Sequence, residues 1–66
     1  MMTLTINSET RDFPSLLTLP ALLEKLDLAE KPVVVELNAK ALSPSEFDQP
    51  LNDGDQLEII VIAAGG

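Results

Sequence analysis

The sequence predicts an α+β fold in which a mixed sheet of four to five strands carries one helix packed on one face. Three observations predict it. Met2-Thr3-Leu4-Thr5-Ile6 alternates apolar and polar side chains at the period of a half-buried strand. Leu19, Leu22, Leu23 and Leu26 recur at i, i+3, i+4 and i+7, the spacing of a single apolar stripe along a helix. Leu57 to Ile62 is aliphatic and largely β-branched, the composition of a strand buried on at least one face. One helix covers only one face of a sheet, so the other face is left open.

The elements follow in order. Met2, Leu4 and Ile6 point inward from the first strand, Asn7-Ser8-Glu9 is a turn signal, and Thr10 to Phe13 reads as a second short strand that Pro14 closes. Thr18 is the expected N-cap of the helix, with Pro20 in the first turn where a missing N–H is tolerated and Leu17 placed to staple against Leu22. The helix runs for about ten residues and ends by Lys31, because Pro32 disfavours helical geometry in the residue before it. Val33 to Leu37 is a third strand, Asn38-Ala39-Lys40 a turn, and Ala41-Leu42 a brief fourth strand. Ser43-Pro44-Ser45-Glu46-Phe47 reads as one capped helical turn, with Phe47 and Leu51 closing an edge of the core. In Asn52-Asp53-Gly54-Asp55, Gly54 supplies a positive φ that aims the chain into the last strand.

Composition removes whole classes of function. The 66 residues hold no cysteine, hence no disulfide, thiolate nucleophile or cysteine-ligated zinc, and no histidine, the usual general base and commonest metal ligand. Eleven acidic residues against four basic ones give a formal charge of −7, which a nucleic-acid backbone would repel. Phe13 and Phe47 are the only aromatics, too few for a base-stacking platform. A calcium loop starting at Asp53 would need a bidentate glutamate where Ala64 stands, so no metal site is expected. No stretch is long and apolar enough to span a bilayer, and Met1 to Leu4 carries no secretory signal. The expected location is the cytoplasm, and no catalytic residues are assigned.

On the last strand Leu57, Ile59 and Val61 are expected to point inward, and Glu58, Ile60 and Ile62 to the open face, since Glu58 should not be buried. Val34 and Glu36 join them from the third strand. An apolar patch framed by two carboxylates on the open side is the expected partner-docking face. Residues 1–62 form the domain, and residues 63–66 form a flexible tail, Ala63-Ala64-Gly65-Gly66, whose small side chains suit threading into a partner's site.

The strand, strand, helix, strand, strand order, the Asp53-Gly54-Asp55-Gln56-Leu57 turn, Leu37-Asn38 and the Ala64-Gly65-Gly66 end together resemble a ubiquitin-like β-grasp protein. Within that superfamily the length and the tail are similar to the sulfur carriers of thiamin biosynthesis, the ThiS family, and the resemblance covers the whole chain. Tails of that family place a single alanine before the glycines, whereas here Ala63 precedes Ala64. The resemblance implies a carrier acted on by partner enzymes, with no bound cofactor of its own. An adenylating, E1-like enzyme would use ATP to activate Gly66. A cysteine desulfurase or another persulfide carrier would supply sulfur, and the resulting thiocarboxylate would donate it to thiazole formation on thiazole synthase. The absence of cysteine leaves the acyl end as the place to carry sulfur. Two other readings stand beside it. A molybdopterin synthase small subunit would use the same thiocarboxylate for a different acceptor, and a ubiquitin-like modifier would attach Gly66 to lysines of target proteins.

Overall fold

A two-residue hairpin turn opens the chain. In the computed structural model, which describes residues 1–63, β1 (Met2–Ile6) pairs antiparallel with β2 (Glu9–Phe13). Asn7 and Ser8 between them take φ of +52° and +69°, the doubly left-handed geometry of a type I′ turn, whose twist matches that of the flanking strands. The same turn recurs between β3 (Val33–Leu37) and β4 (Lys40–Ala41), where Asn38 and Ala39 take +51° and +69°. Asparagine tolerates this region, but alanine does so at a cost of about 1–2 kcal/mol. Ala39→Gly is therefore expected to raise stability by about 0.5–1 kcal/mol after the greater backbone entropy of unfolded glycine is offset, read by chemical denaturation.

The helix α1 (Leu19–Lys25) is shorter than its sequence suggests. Thr18 caps it as expected, its hydroxyl accepting from the Ala21 N–H at 3.3 Å. Its end is set by Asp27, which adopts φ +62°. Leu28 N–H then donates to Leu23 O at 2.7 Å and Asp27 N–H to Glu24 O at 3.0 Å, a Schellman arrangement with aspartate in the usual glycine position. The helix stops five residues before Pro32 could force it to, and the intervening chain carries Leu28 back against the core.

The five strands lie in the order β2-β1-β5-β3-β4, with β5 (Gln56–Val61) in the centre. β1 and β5 are parallel and every other pair is antiparallel, so the sheet is mixed. α1 covers one face. Met2, Leu4, Leu19, Leu22, Val35 and Leu57 are the most deeply buried side chains, and Ile6, Phe13, Leu17, Leu23, Leu51 and Ile59 complete the core. Leu26, expected in the buried stripe, is only half-buried because it is the helix C-cap. A short 3₁₀ turn (Pro44–Glu46) leads to a segment that seals the edge, with Leu51 N–H bonded to Leu17 O and Leu19 N–H to Gln49 O, both at 2.9 Å. In that turn the Glu46 carboxylate accepts from the Ser43 N–H at 2.9 Å, and this bond, with the Ser43 hydroxyl and Lys40 nearby, holds its pKa below the ordinary glutamate range.

Candidate functional site: the open sheet face and the exit of β5

The open face divides into two halves of different chemistry. On the β1–β2 half, Thr3 donates to Asp12 at 2.7 Å, and Thr5 faces Thr10 at 3.4 Å across the ladder. That half is polar and satisfied by its own cross-strand pairs. On the β3–β5 half, Val34 lies directly opposite Ile60, and Glu36 directly opposite Glu58. Val34 is 40% exposed, Ile60 55% and Ile62 49%, so the apolar residues assigned to the open face do lie there. Glu58 is exposed and Glu36 half-buried. The structure thus brings Val34, Glu36, Glu58 and Ile60 onto two adjacent strands, with Ile62 one residue past the end of β5. A shallow concavity beside them is lined by Thr5, Glu36, Gln56 and Glu58. Like charges directly opposite on a ladder repel, and no basic side chain among the described residues pairs with either glutamate.

One side chain departs from its expected setting. Val61 was expected inward with Leu57 and Ile59, yet it is 47% exposed while those two are buried. Alternation puts it on the side of Leu57 and Ile59, but it is not among the side chains packed against the core. The exit of the strand is therefore apolar on both faces: Val61 on one side, Ile60 and Ile62 on the other. Ala63 lies beyond the strand and is exposed. Ala64, Gly65 and Gly66 lie outside the described residues.

Two features that pattern reading did not find tie β5 to the sheet. Asn7 was read only as a turn residue, but its amide bonds β5 twice: Oδ1 accepts from Ile59 N–H at 2.7 Å and Nδ2 donates to Ile59 O at 3.1 Å. Asn38 holds the start of the strand with one such bond, its Oδ1 accepting from the Gln56 N–H at 2.9 Å, while its Nδ2 donates to the Asp55 carboxylate at 3.0 Å. Asp55, in the expected tight turn, is only 8% exposed and also accepts from Asn52 N–H at 2.8 Å. The acceptors and donors sit up to 52 residues away along the chain, so no local signal announces them. Gly54 has the expected positive φ, +88°. Among the described residues no group of three or more His, Cys, Asp or Glu side chains is arranged to hold a metal ion, and no helix is long and apolar enough to cross a membrane.

A five-stranded mixed sheet with a single helix on one face, and a central strand that runs out to the chain's small-residue end, defines the ubiquitin-like β-grasp class. The chain superimposes on the crystal structure of a thiamine biosynthesis protein (ThiS) from Geobacter metallireducens with a TM-score of 0.81 and 33% identity, covering 98% of this chain and 100% of that one. It matches the ThiS family over residues 2–66, and it belongs to that family. It is also 41% identical over 66 residues to a thiazole synthase of Paramagnetospirillum magneticum (strain ATCC 700264 / AMB-1), covering 98% of this chain. The chain spans about a fifth of the length of that relative (20%).

Proposed function

We propose that this protein carries sulfur for thiazole formation in thiamine biosynthesis, on the carboxylate of Gly66. Residues 1–62 act as the recognition domain and residues 63–66 as the arm that enters partner sites. The observation that carries this reading is the Gly65-Gly66 pair, reached three residues after the central strand of a ThiS-family chain without cysteine.

A carboxylate is a poor electrophile. The activating enzyme uses ATP to make it one: a Gly66 oxygen attacks the α-phosphate, and pyrophosphate leaves. A persulfide sulfur of the donor protein attacks the resulting acyl adenylate and AMP leaves, forming an acyl disulfide. A second thiol on the enzyme side then cleaves the S–S bond, which frees the thiocarboxylate and leaves the donor side as a disulfide. Two successive glycines let the backbone approach the nucleotide without a Cβ in the way. ATP, donor thiol and base are the partners' contribution, and this chain supplies no catalytic residue.

The thiazole synthase relative supports the identity of the acceptor, since a stretch similar to this whole chain forms part of a single thiazole synthase polypeptide. The adenylating enzyme and the synthase both dock on the half-face formed by Val34, Glu36, Glu58, Ile60 and Ile62. It is apolar, adjacent to the arm, and framed by two carboxylates that repel each other and are suited to a basic rim on the partner.

Incubation with ATP, an activating enzyme and a persulfide donor should produce oxygen-to-sulfur exchange confined to the C-terminal peptide in mass spectrometry. Sulfur on an internal peptide, or covalent attachment of Gly66 to lysines in place of exchange, would overturn the reading. Ile60→Glu is expected to weaken binding to the activating enzyme about tenfold or more, because it places a charge in the apolar centre of the patch. The fold should hold to within about 0.5 kcal/mol, since the site is exposed in the free protein. A binding titration with unchanged affinity and unchanged circular dichroism would move the interface elsewhere.

A further inference from the structure

We infer that Asn7 is a positioning residue for the sulfur-carrying arm: its amide clips β5 at Ile59 and so fixes the point from which the arm leaves the sheet. The inference rests on the carrier reading above.

The register shows why a clip is needed. β1 pairs with β5 only through Thr5–Gln56 and Ile6–Leu57, and its last rung is Asn7 N–H to Leu57 O at 2.9 Å. At Asn7 the chain turns back into β2, four residues before β5 ends. The next rung on that side would bond the N–H and C=O of Ile59, and the Asn7 side chain supplies both partners in place of a strand. One amide here does the work of one residue of β1.

Beyond Ile59 the hold on the strand weakens in steps. Alternate residues turn their backbone groups to opposite sides. Ile60 pairs with Val34, and Ile62 N–H donates to Pro32 O at 2.9 Å, so even-numbered residues bond toward β3. Proline has no N–H to return, which makes that contact half a rung. The N–H and C=O of Val61 face the β1 side, where no strand of the described residues reaches them. Ile59 is therefore the last residue of β5 whose backbone groups are bonded on the β1 side. Six residues separate it from Gly66, a length that must stay constant if the acyl carbon is to arrive at a fixed point in an active site.

The chain contains a control at the other end of the strand. Asn38 leads an equivalent turn with nearly the same φ; its Oδ1 accepts from the Gln56 N–H at the start of β5, and its Nδ2 donates to the Asp55 carboxylate. Glycine at either position keeps the left-handed turn and removes only the amide. Loss of the Asn7 clip lets the strand fray from its exit, so partner binding must order the stem as well as the arm, at an entropic cost. Loss of the Asn38 clip frays the start, far from the arm.

The experiment compares Asn7→Gly and Asn38→Gly with wild type in thiocarboxylate formation by the activating enzyme, together with amide hydrogen exchange. Asn7→Gly is expected to raise the KM for the carrier about tenfold with kcat nearly unchanged, and to speed exchange of the Ile59 N–H. Asn38→Gly should lower the melting temperature by a similar amount yet leave KM within about twofold of wild type. Equal KM for wild type and Asn7→Gly, or an equal rise in both variants, would overturn the positioning role while leaving the carrier reading intact. Wild type that takes up no sulfur would overturn the carrier reading, and this one with it.

Discussion

Removal of Gly66 is expected to abolish sulfur uptake completely while leaving the domain folded. The electrophile proposed here is the Gly66 carbonyl. A chain ending at Gly65 presents its carboxylate one residue, about 3.5 Å, short of the position that adenylation requires. Extension by one or more residues should be equally inactive, because the carboxylate is then displaced and Gly66 becomes an internal amide. Stability should change by no more than about 0.5 kcal/mol in either variant, since every buried core side chain among the described residues lies at or before Ile59. Gly65→Val tests the path and not the chemistry. A β-branched side chain disfavours the conformations open to glycine and obstructs a narrow channel, so a loss of about 100-fold in sulfur uptake is expected. Mass spectrometry of the C-terminal peptide reads all three variants. Normal exchange in the Gly66 deletion would show that the sulfur is carried elsewhere.

Leu22→Ala is expected to be among the most damaging single substitutions in the folded domain. Leu22 is fully buried in the centre of the stripe that α1 lays on the sheet. Truncation there should cost about 2–5 kcal/mol through lost transfer energy and the cavity left behind. A 66-residue domain has a total stability of roughly 3–10 kcal/mol, so the loss takes about a fifth of it or more. The melting temperature should fall by at least about 8 °C. Leu26→Ala makes the comparison: Leu26 is a half-buried C-cap and should cost clearly less. If both variants melt with the wild type, α1 is not docked through this stripe. If they fall equally, the stripe runs further than the Schellman end at Asp27 allows.

Periodicity and turn chemistry in the sequence determined the element order, the sidedness of the sheet and the patch on its open face. Met2, Leu4 and Ile6 are buried where their alternation places them, Thr18 caps the helix, and Gly54 takes its positive φ. The same period-two logic put Val34, Ile60 and Ile62 on the solvent side, because Glu58 fixes which face of β5 is wet. These are local signals, carried by residues two to four apart, and a local rule suffices to read them. What only the tertiary structure decided depends on contacts between distant segments. Helix length was set by Asp27 accepting a left-handed conformation, and the exposure of Val61 by the lack of core packing at the end of β5. The clips at Asn7 and Asn38 and the burial of Asp55 arise where two turns meet the central strand. Their spacing along the chain is arbitrary; it is the parallel register of β1 against β5 that brings an asparagine amide to the first backbone rung its own strand leaves empty.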